Sequence, residues 1–292
     1  MKYQDLHHNI NLPLGILLTL LSWSMIALAN ACIKLTLTDT SPQIALFFEY
    51  FFACILFLPL VLSKGFKILK TKKWAYLIFR ALFGMFTYLF LFVALQYIPL
   101  MDAALLNNTA PLFVPFLLWL WIRKKIPYKQ WIGIIIGFIG IIFVLNPDRR
   151  VFSPASIFGL IAGFCAALSM TSVRLLAKES YIRVIFYYLL ITSVCMLPFV
   201  ILQWKPLIAK DWILLTAAGI LMFCVQLLFT ASFKYACASD LAPFSYISVI
   251  ISGLLDWVIY QRVPKLSGLL GIVLVIIGSV LTIIFGTKKR KK

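Results

Sequence analysis

An all-α integral membrane protein, with ten transmembrane helices arranged as two inverted five-helix repeats, is the fold class this sequence predicts. Three observations predict it. Of 292 residues, 63% are hydrophobic and only 12% charged, which is more apolar surface than a soluble domain can hide. The apolar residues fall in runs of about 20, the length that crosses hydrocarbon, joined by very short connections. A constant shift of 138 also carries Tyr97 onto Tyr235, Asp102 onto Asp240, Trp119 onto Trp257, Gly133 onto Gly271 and Gly140 onto Gly278. Identities at one offset across a turn and two helices mark an internal repeat.

Taken in order, the spans are expected at 12–34, 42–63, 74–97, 102–122, 128–146, 155–176, 182–203, 211–234, 240–260 and 266–286. The first exceeds the roughly 7–15 apolar residues of a signal-peptide core, so it is expected to stay in the membrane. Connections carry Pro, Gly or Asp, as in Ser41-Pro42, Ile98-Pro99 and Asn146-Pro147-Asp148. They leave no room for a soluble domain. Gly15 and Lys34 of the first span match Gly159 and Lys178 of the sixth at offset 144, and Pro59 matches Pro198 at offset 139. The expected units are therefore 12–147, 155–286 and a basic cytoplasmic tail at 287–292.

Orientation follows from charge. The net charge of +18 would suggest nucleic acid in a soluble protein. Here the basic residues sit between apolar runs, so the bilayer and not nucleic acid is the expected partner. One side collects 19 Lys and Arg, including the 64–73 loop, the 123–129 hairpin and Lys288–Lys292; the other collects 7. The richer side is expected to be cytoplasmic, with both termini on it. The polybasic tail reads as a topology anchor or as a site for anionic lipid. Five helices per half is an odd number, so the second half enters from the opposite face. Such inverted repeats suit alternating access around a site near midplane.

The six cysteines show no CxxC spacing, and His7 and His8 are adjacent in the tail. Neither a metal site nor a disulfide framework is expected. No Walker motif is present, so ATP does not drive the protein and no cofactor is implied.

Charges inside hydrocarbon are costly and need a reason. Glu49 lies about seven residues past Pro42, roughly 10 Å below the outer surface at ~1.5 Å per residue. It reads as a substrate or proton site, or as a structural partner for a basic or hydroxyl group. Arg80 lies as far from the cytoplasmic surface, roughly 10 Å from Glu49 in depth within a core of about 30 Å, so a direct pair is not expected. Arg80 either meets an anionic substrate group or snorkels to the headgroups. Asp256, near the outer rim, reads as a partner of Arg262, a hydrated interfacial group, or a second proton carrier beside Glu49. Asp102 and Asp240 open helices and read as caps.

Asn107, Asn108 and Thr109, just before Pro111, form a polar cluster where a helix can bend. They line a cavity or bond to a neighbouring helix. Tyr246, 138 residues beyond Asn108, is expected to face the same place from the other half. Tyr188 joins the substrate-binding set; Trp23, Tyr88, Tyr187 and Gln226 are weaker candidates, usually packing. The Gly133, Gly137, Gly140 run permits a close helix contact, either between helices five and ten or between the protomers of a homodimer.

These residues resemble a known family. Ala94-Leu95-x-Tyr97-x-Pro99-Leu100-x-Asp102-Ala103, Thr109-Ala110-Pro111-Leu112-Phe113, Gln130-Trp131-x-Gly133 and Gly137-x-x-Gly140 resemble the EamA domain of the drug/metabolite transporter superfamily. Ala242-Pro243-Phe244-x-Tyr246, Trp257, Pro264, Leu270-Gly271 and Gly278 resemble its second copy. The resemblance implies a secondary transporter. Phe186-Tyr187-Tyr188 before Pro198 is similar to the S-adenosylmethionine-uptake branch. Lys124 and Arg262 stand where family members often carry glutamate, and Phe48-Glu49 where many have Phe-Arg. The expected function is movement of a small polar or zwitterionic metabolite. Efflux of cationic drugs is the rival within transport; a membrane scaffold and a lipid-acting enzyme are rivals outside it.

Overall fold

The structure, a computed structural model, describes residues 11–123, 127–145, 154–176, 179–204, 206–232, 235–236, 241–261 and 266–287. The expectations placed on Lys124, Lys178, Asp240, Arg262, several loop charges and both tails lie outside those residues. Every regular element described is helical. In chain order these are α1 (Leu12–Thr36), α2 (Pro42–Lys64), α3 (Trp74–Tyr97), α4 (Leu100–Asn107), α5 (Ala110–Ile122) and α6 (Tyr128–Leu145). They continue as α7 (Pro154–Leu175), α8 (Tyr181–Gln203), α9 (Ala209–Ser232), α10 (Ile247–Tyr260) and α11 (Leu266–Thr287).

Local chemistry sets the breaks. The Asn11 side chain caps α1 by accepting from the Leu14 N–H at 3.2 Å. Pro42 fits the first position of α2, where no N–H is needed, and Gly65 ends it at φ 75°, a conformation only glycine adopts cheaply. Ile98 is extended (φ −113°, ψ 159°), as the residue before a proline must be, so α3 stops and α4 starts within two residues.

Among the described residues, eight helical stretches are long and apolar enough to cross a membrane by length and composition. Two more, Tyr128–Phe143 within α6 and Leu269–Phe285 within α11, are apolar but shorter. The single helix expected over 102–122 is two helices interrupted at Asn108–Thr109. Its counterpart is a 3-10 turn (Ala242–Tyr246) running into α10. Under the 138 shift the two irregular stretches overlap at Asn108 and Tyr246.

The two halves of the sequence are not side-by-side lobes. The most extensive helix pairings are α6 with α11, α1 with α9, α3 with α7 and α2 with α8, and each joins one half to the other. Glycines make the α6–α11 pairing close. A Cβ at Gly133 would lie 2.7 Å from the Gly278 carbonyl oxygen, one at Gly140 would lie 2.9 Å from that of Gly271, and one at Gly278 would lie 2.3 Å from the Gly137 nitrogen. The 138 shift exchanges the first two contacts, since it carries Gly133 onto Gly271 and Gly140 onto Gly278. The glycine run thus serves a contact between α6 and α11 of one chain.

Candidate functional site

In the first half of α2, α3 and α8, three of the singled-out residues lie near one another. Glu49 is 0% exposed, and neither of its carboxylate oxygens has a hydrogen-bond partner among the described residues. A carboxylate left so in hydrocarbon costs a few kcal/mol or more, which an occupant with donors relieves. The next residue, Tyr50, shares a hydrogen bond with Tyr188, their hydroxyl oxygens 2.5 Å apart. Their rings meet edge to face at 5.2 Å, and Tyr88 meets Tyr50 the same way at 5.8 Å. Glu49 lies within electrostatic reach of Tyr50, Tyr88, Tyr188 and Cys32.

Arg80 reaches this cluster from α3. Its guanidinium lies 4.3 Å over the Tyr188 ring and donates to the Ser169 hydroxyl at 2.6 Å, so it is held inward by a cation–π contact and a charged hydrogen bond. Ser169 in turn donates to the Arg80 carbonyl at 3.2 Å. Gly84, one turn along α3, makes room: a Cβ there would lie 2.4 Å from Arg80 Nη1 and 2.6 Å from Tyr188 Cε2. Arg80 thus bonds to protein groups on α7 and α8. As expected from depth, no ion pair joins it to Glu49 among the described residues. Both charges lie within electrostatic reach of Tyr88 and Tyr188.

A second set joins the interrupted helices. Asn108 donates to the Ala104 carbonyl at 2.8 Å and to the Ser248 hydroxyl at 3.1 Å, while the Tyr246 hydroxyl donates to the Asn108 carbonyl at 3.2 Å. Of the two readings for this pair, bonding between helices is the one the geometry supports. Asn107 differs: its side-chain oxygen has no partner among the described residues.

Asp256 corrects the expectation of a hydrated rim group. It is 3% exposed, and its Oδ2 accepts from the Met101 N–H at 2.8 Å. It therefore caps α4 from another helix, in the place that Pro99 cannot fill. Asp102 sits in the same first turn, within electrostatic reach of Asp256 and Lys34. Lys34 donates to the Ile98 carbonyl at 2.5 Å and lies 5.4 Å from the Tyr260 ring.

Tyr50 and Ser169 were not singled out in sequence. The repeat register of α2 and α8, which matches Pro59 to Pro198 at offset 139, does not pair Tyr50 with Tyr188, so neither Tyr50 nor Ser169 had a signal. Of the weaker candidates, Tyr88 joins the Glu49 cluster, while Trp23 and Tyr187 make packing contacts. Trp23 meets Phe229 at 5.9 Å, and Tyr187 stacks edgewise on Trp74 at 4.7 Å while donating to the Leu69 carbonyl.

Known proteins give this geometry a setting. The chain is 29% identical over 247 residues to an S-adenosylmethionine uptake transporter of Rickettsia bellii, covering 83% of this chain and 84% of that one. It is 24% identical over 272 residues to the pseudopaline exporter CntI of Pseudomonas aeruginosa, covering 91% and 94%. A riboflavin transporter of Vibrio cholerae is 25% identical, over 84% of this chain and 83% of that one. One protein of known crystal structure shares the fold with a TM-score of 0.64 at 19% identity, over 95% of this chain and 98% of that one. The sequence profile of the EamA-like transporter family matches twice, at residues 13–146 and 153–284. With that domain repeated along nearly its whole length, this multi-pass, all-helical chain belongs to the EamA-like transporter family.

Proposed function

We propose that the chain is a secondary carrier that moves a small zwitterionic metabolite across the bacterial inner membrane by alternating access. The observation that carries this is the unpartnered, fully buried Glu49 carboxylate within electrostatic reach of the Tyr50–Tyr188 pair, on whose Tyr188 ring the Arg80 guanidinium packs. A substrate with a cationic group for Glu49 and an anionic group for Arg80 satisfies both. S-adenosylmethionine, named for one relative, is a molecule of that class.

In this reading ten spans form two inverted units, 12–147 and 155–286, with the tail at 287–292 and both termini cytoplasmic. Tyr188 and Asn107 complete the substrate set, and Asn108 and Tyr246 hold the interrupted helices together as the halves rock. Glu49 is the first proton carrier and Asp256 the second.

Uptake into proteoliposomes against a panel of S-adenosylmethionine, amino acids and nucleosides tests the proposal. Glu49→Gln is expected to abolish uptake of the transported member while the protein still inserts and purifies normally. Unchanged flux of every transported compound in that variant overturns it. Export is the second reading, favoured by the likeness to the pseudopaline exporter, and inside-out vesicles separate the two directions.

A further inference from the structure

Residues 65–73 join α2 to α3, two stretches that are each long and apolar enough to cross a membrane, so this loop lies at a membrane surface. Lys64, Lys67, Lys70, Lys72 and Lys73 fall in it or beside it, and the sequence holds no Asp or Glu between Glu49 and Asp102. Lys64, Lys67, Lys70 and Lys72 are exposed and make no ion pair among the described residues. The acid that does touch the loop is Glu179, which accepts from the Thr71 hydroxyl at 3.2 Å, and Arg183 already pairs with it. The positive charge of the loop is therefore unbalanced among the described residues.

A loop that only sets topology needs its lysines but no fixed shape. This one has a fixed shape. Gly65, at φ 75°, turns the chain out of α2 and into a 3-10 turn at Phe66–Leu69. From α8, Arg183 Nε donates to the Ile68 carbonyl at 2.6 Å, and the Tyr187 hydroxyl donates to that of Leu69 at 3.2 Å. The Ile68 and Leu69 side chains pack against the core, while Phe66 and Lys67 stay outside. Phe66 is 66% exposed, and Trp74 and Tyr76, at the start of α3, are 46% and 45% exposed. An exposed phenyl ring between two lysines gains nothing in water. At a bilayer surface it enters the acyl boundary while the lysines reach the phosphates, and Trp and Tyr favour the headgroup level.

We propose that this loop is a binding site for an anionic phospholipid, with Lys64, Lys67, Lys70 and Lys72 around the headgroup and Phe66 among the acyl chains. The unbalanced charge selects an anionic headgroup over a zwitterionic one. The pinned backbone spares the cost of ordering the loop on binding. Arg183 and Tyr187 lie on the helix that carries Tyr188, so the lipid grips an element of the Glu49 cluster. The site needs no assumption about what the protein transports.

The test uses the full chain in phosphatidylcholine nanodiscs doped with a photoactivatable phosphatidylglycerol, and maps the cross-linked peptides by mass spectrometry. The probe is expected to label the segment from Lys64 to Tyr76, and a phosphatidylcholine probe with the same photoactivatable group is expected to label it about tenfold less. The Lys64→Gln, Lys67→Gln, Lys70→Gln, Lys72→Gln variant is expected to lose a factor of about ten or more, since each lysine near an anionic surface is worth a factor of about five. Neutralising the basic tail at 288–292 instead is expected to leave labelling of the loop unchanged. Equal labelling by the two probes, or labelling confined to other segments, overturns the proposal. So does displacement by millimolar glycerol 3-phosphate, which would assign the loop to a soluble phosphate. The comparison of the two probes needs no variant, so it decides even where the fourfold variant misfolds.

Discussion

Gly84→Ala probes the contact between Arg80 and Tyr188 without touching either. The added Cβ would sit 2.6 Å from Tyr188 Cε2 and 2.4 Å from Arg80 Nη1, against an ordinary carbon contact of about 3.5 Å or more. The guanidinium is the free end of a long side chain and can swing away. The tyrosine ring cannot, because its hydroxyl is tied to Tyr50 at 2.5 Å. Overpacking of this kind costs about 1–3 kcal/mol, and the displaced guanidinium forfeits up to about 2 kcal/mol of cation–π attraction. Tyr50→Phe alone should cost about 1 kcal/mol, the worth of one hydrogen bond. In that background the Tyr188 ring is free to retreat, so the double variant should be less destabilised than the two singles together, by about 0.5 kcal/mol or more. Unfolding free energies from SDS titration of the purified protein measure all three. A Gly84→Ala cost below about 0.5 kcal/mol, or strict additivity with Tyr50→Phe, refutes the reasoning.

Other perturbations follow from the same contacts. In Gly278→Ala the new methyl meets the Gly137 backbone at 2.3 Å, so α6 and α11 must separate; the same titration should show a loss of about 3 kcal/mol or no folded protein, whereas lipid-facing Ile277→Ala should change little. Asp256→Asn weakens the cap on α4 and Asp256→Ala removes it, the latter costing about 1 kcal/mol and faster hydrogen exchange at Met101. Tyr246→Phe breaks one bond between the halves, worth about 0.6 kcal/mol in a membrane protein. A larger cost there would assign Tyr246 a further partner.

Much of this architecture could be read from residues alone. The apolar runs gave the helices, and the 138 shift gave the repeat. That shift also pairs Asn108 with Tyr246, which turn out to touch. What it cannot reveal is whether related halves stand side by side or thread through one another, since similarity carries no information about which faces meet. Arg80 was ambiguous for a related reason. Depth counted from helix ends separates it from Glu49, and only the packed tyrosines show how one cluster holds both. Asp256 eluded sequence reasoning because its partner is a backbone N–H 155 residues away. Helix α4 itself looked like an uninterrupted span, because Asn108 and Thr109 interrupt it through hydrogen bonds to carbonyls on their own turn.

Threading has a consequence for how the protein is made. When the ribosome has released α1 through α6, the bilayer holds six segments whose best surfaces still await helices not yet translated. Gly133 and Gly140 then face lipid instead of α11, and Arg80 lacks both Ser169 and Tyr188. The nascent chain must stay loose until its last helix arrives, so cutting the gene in two should yield fragments that are stable only when expressed together.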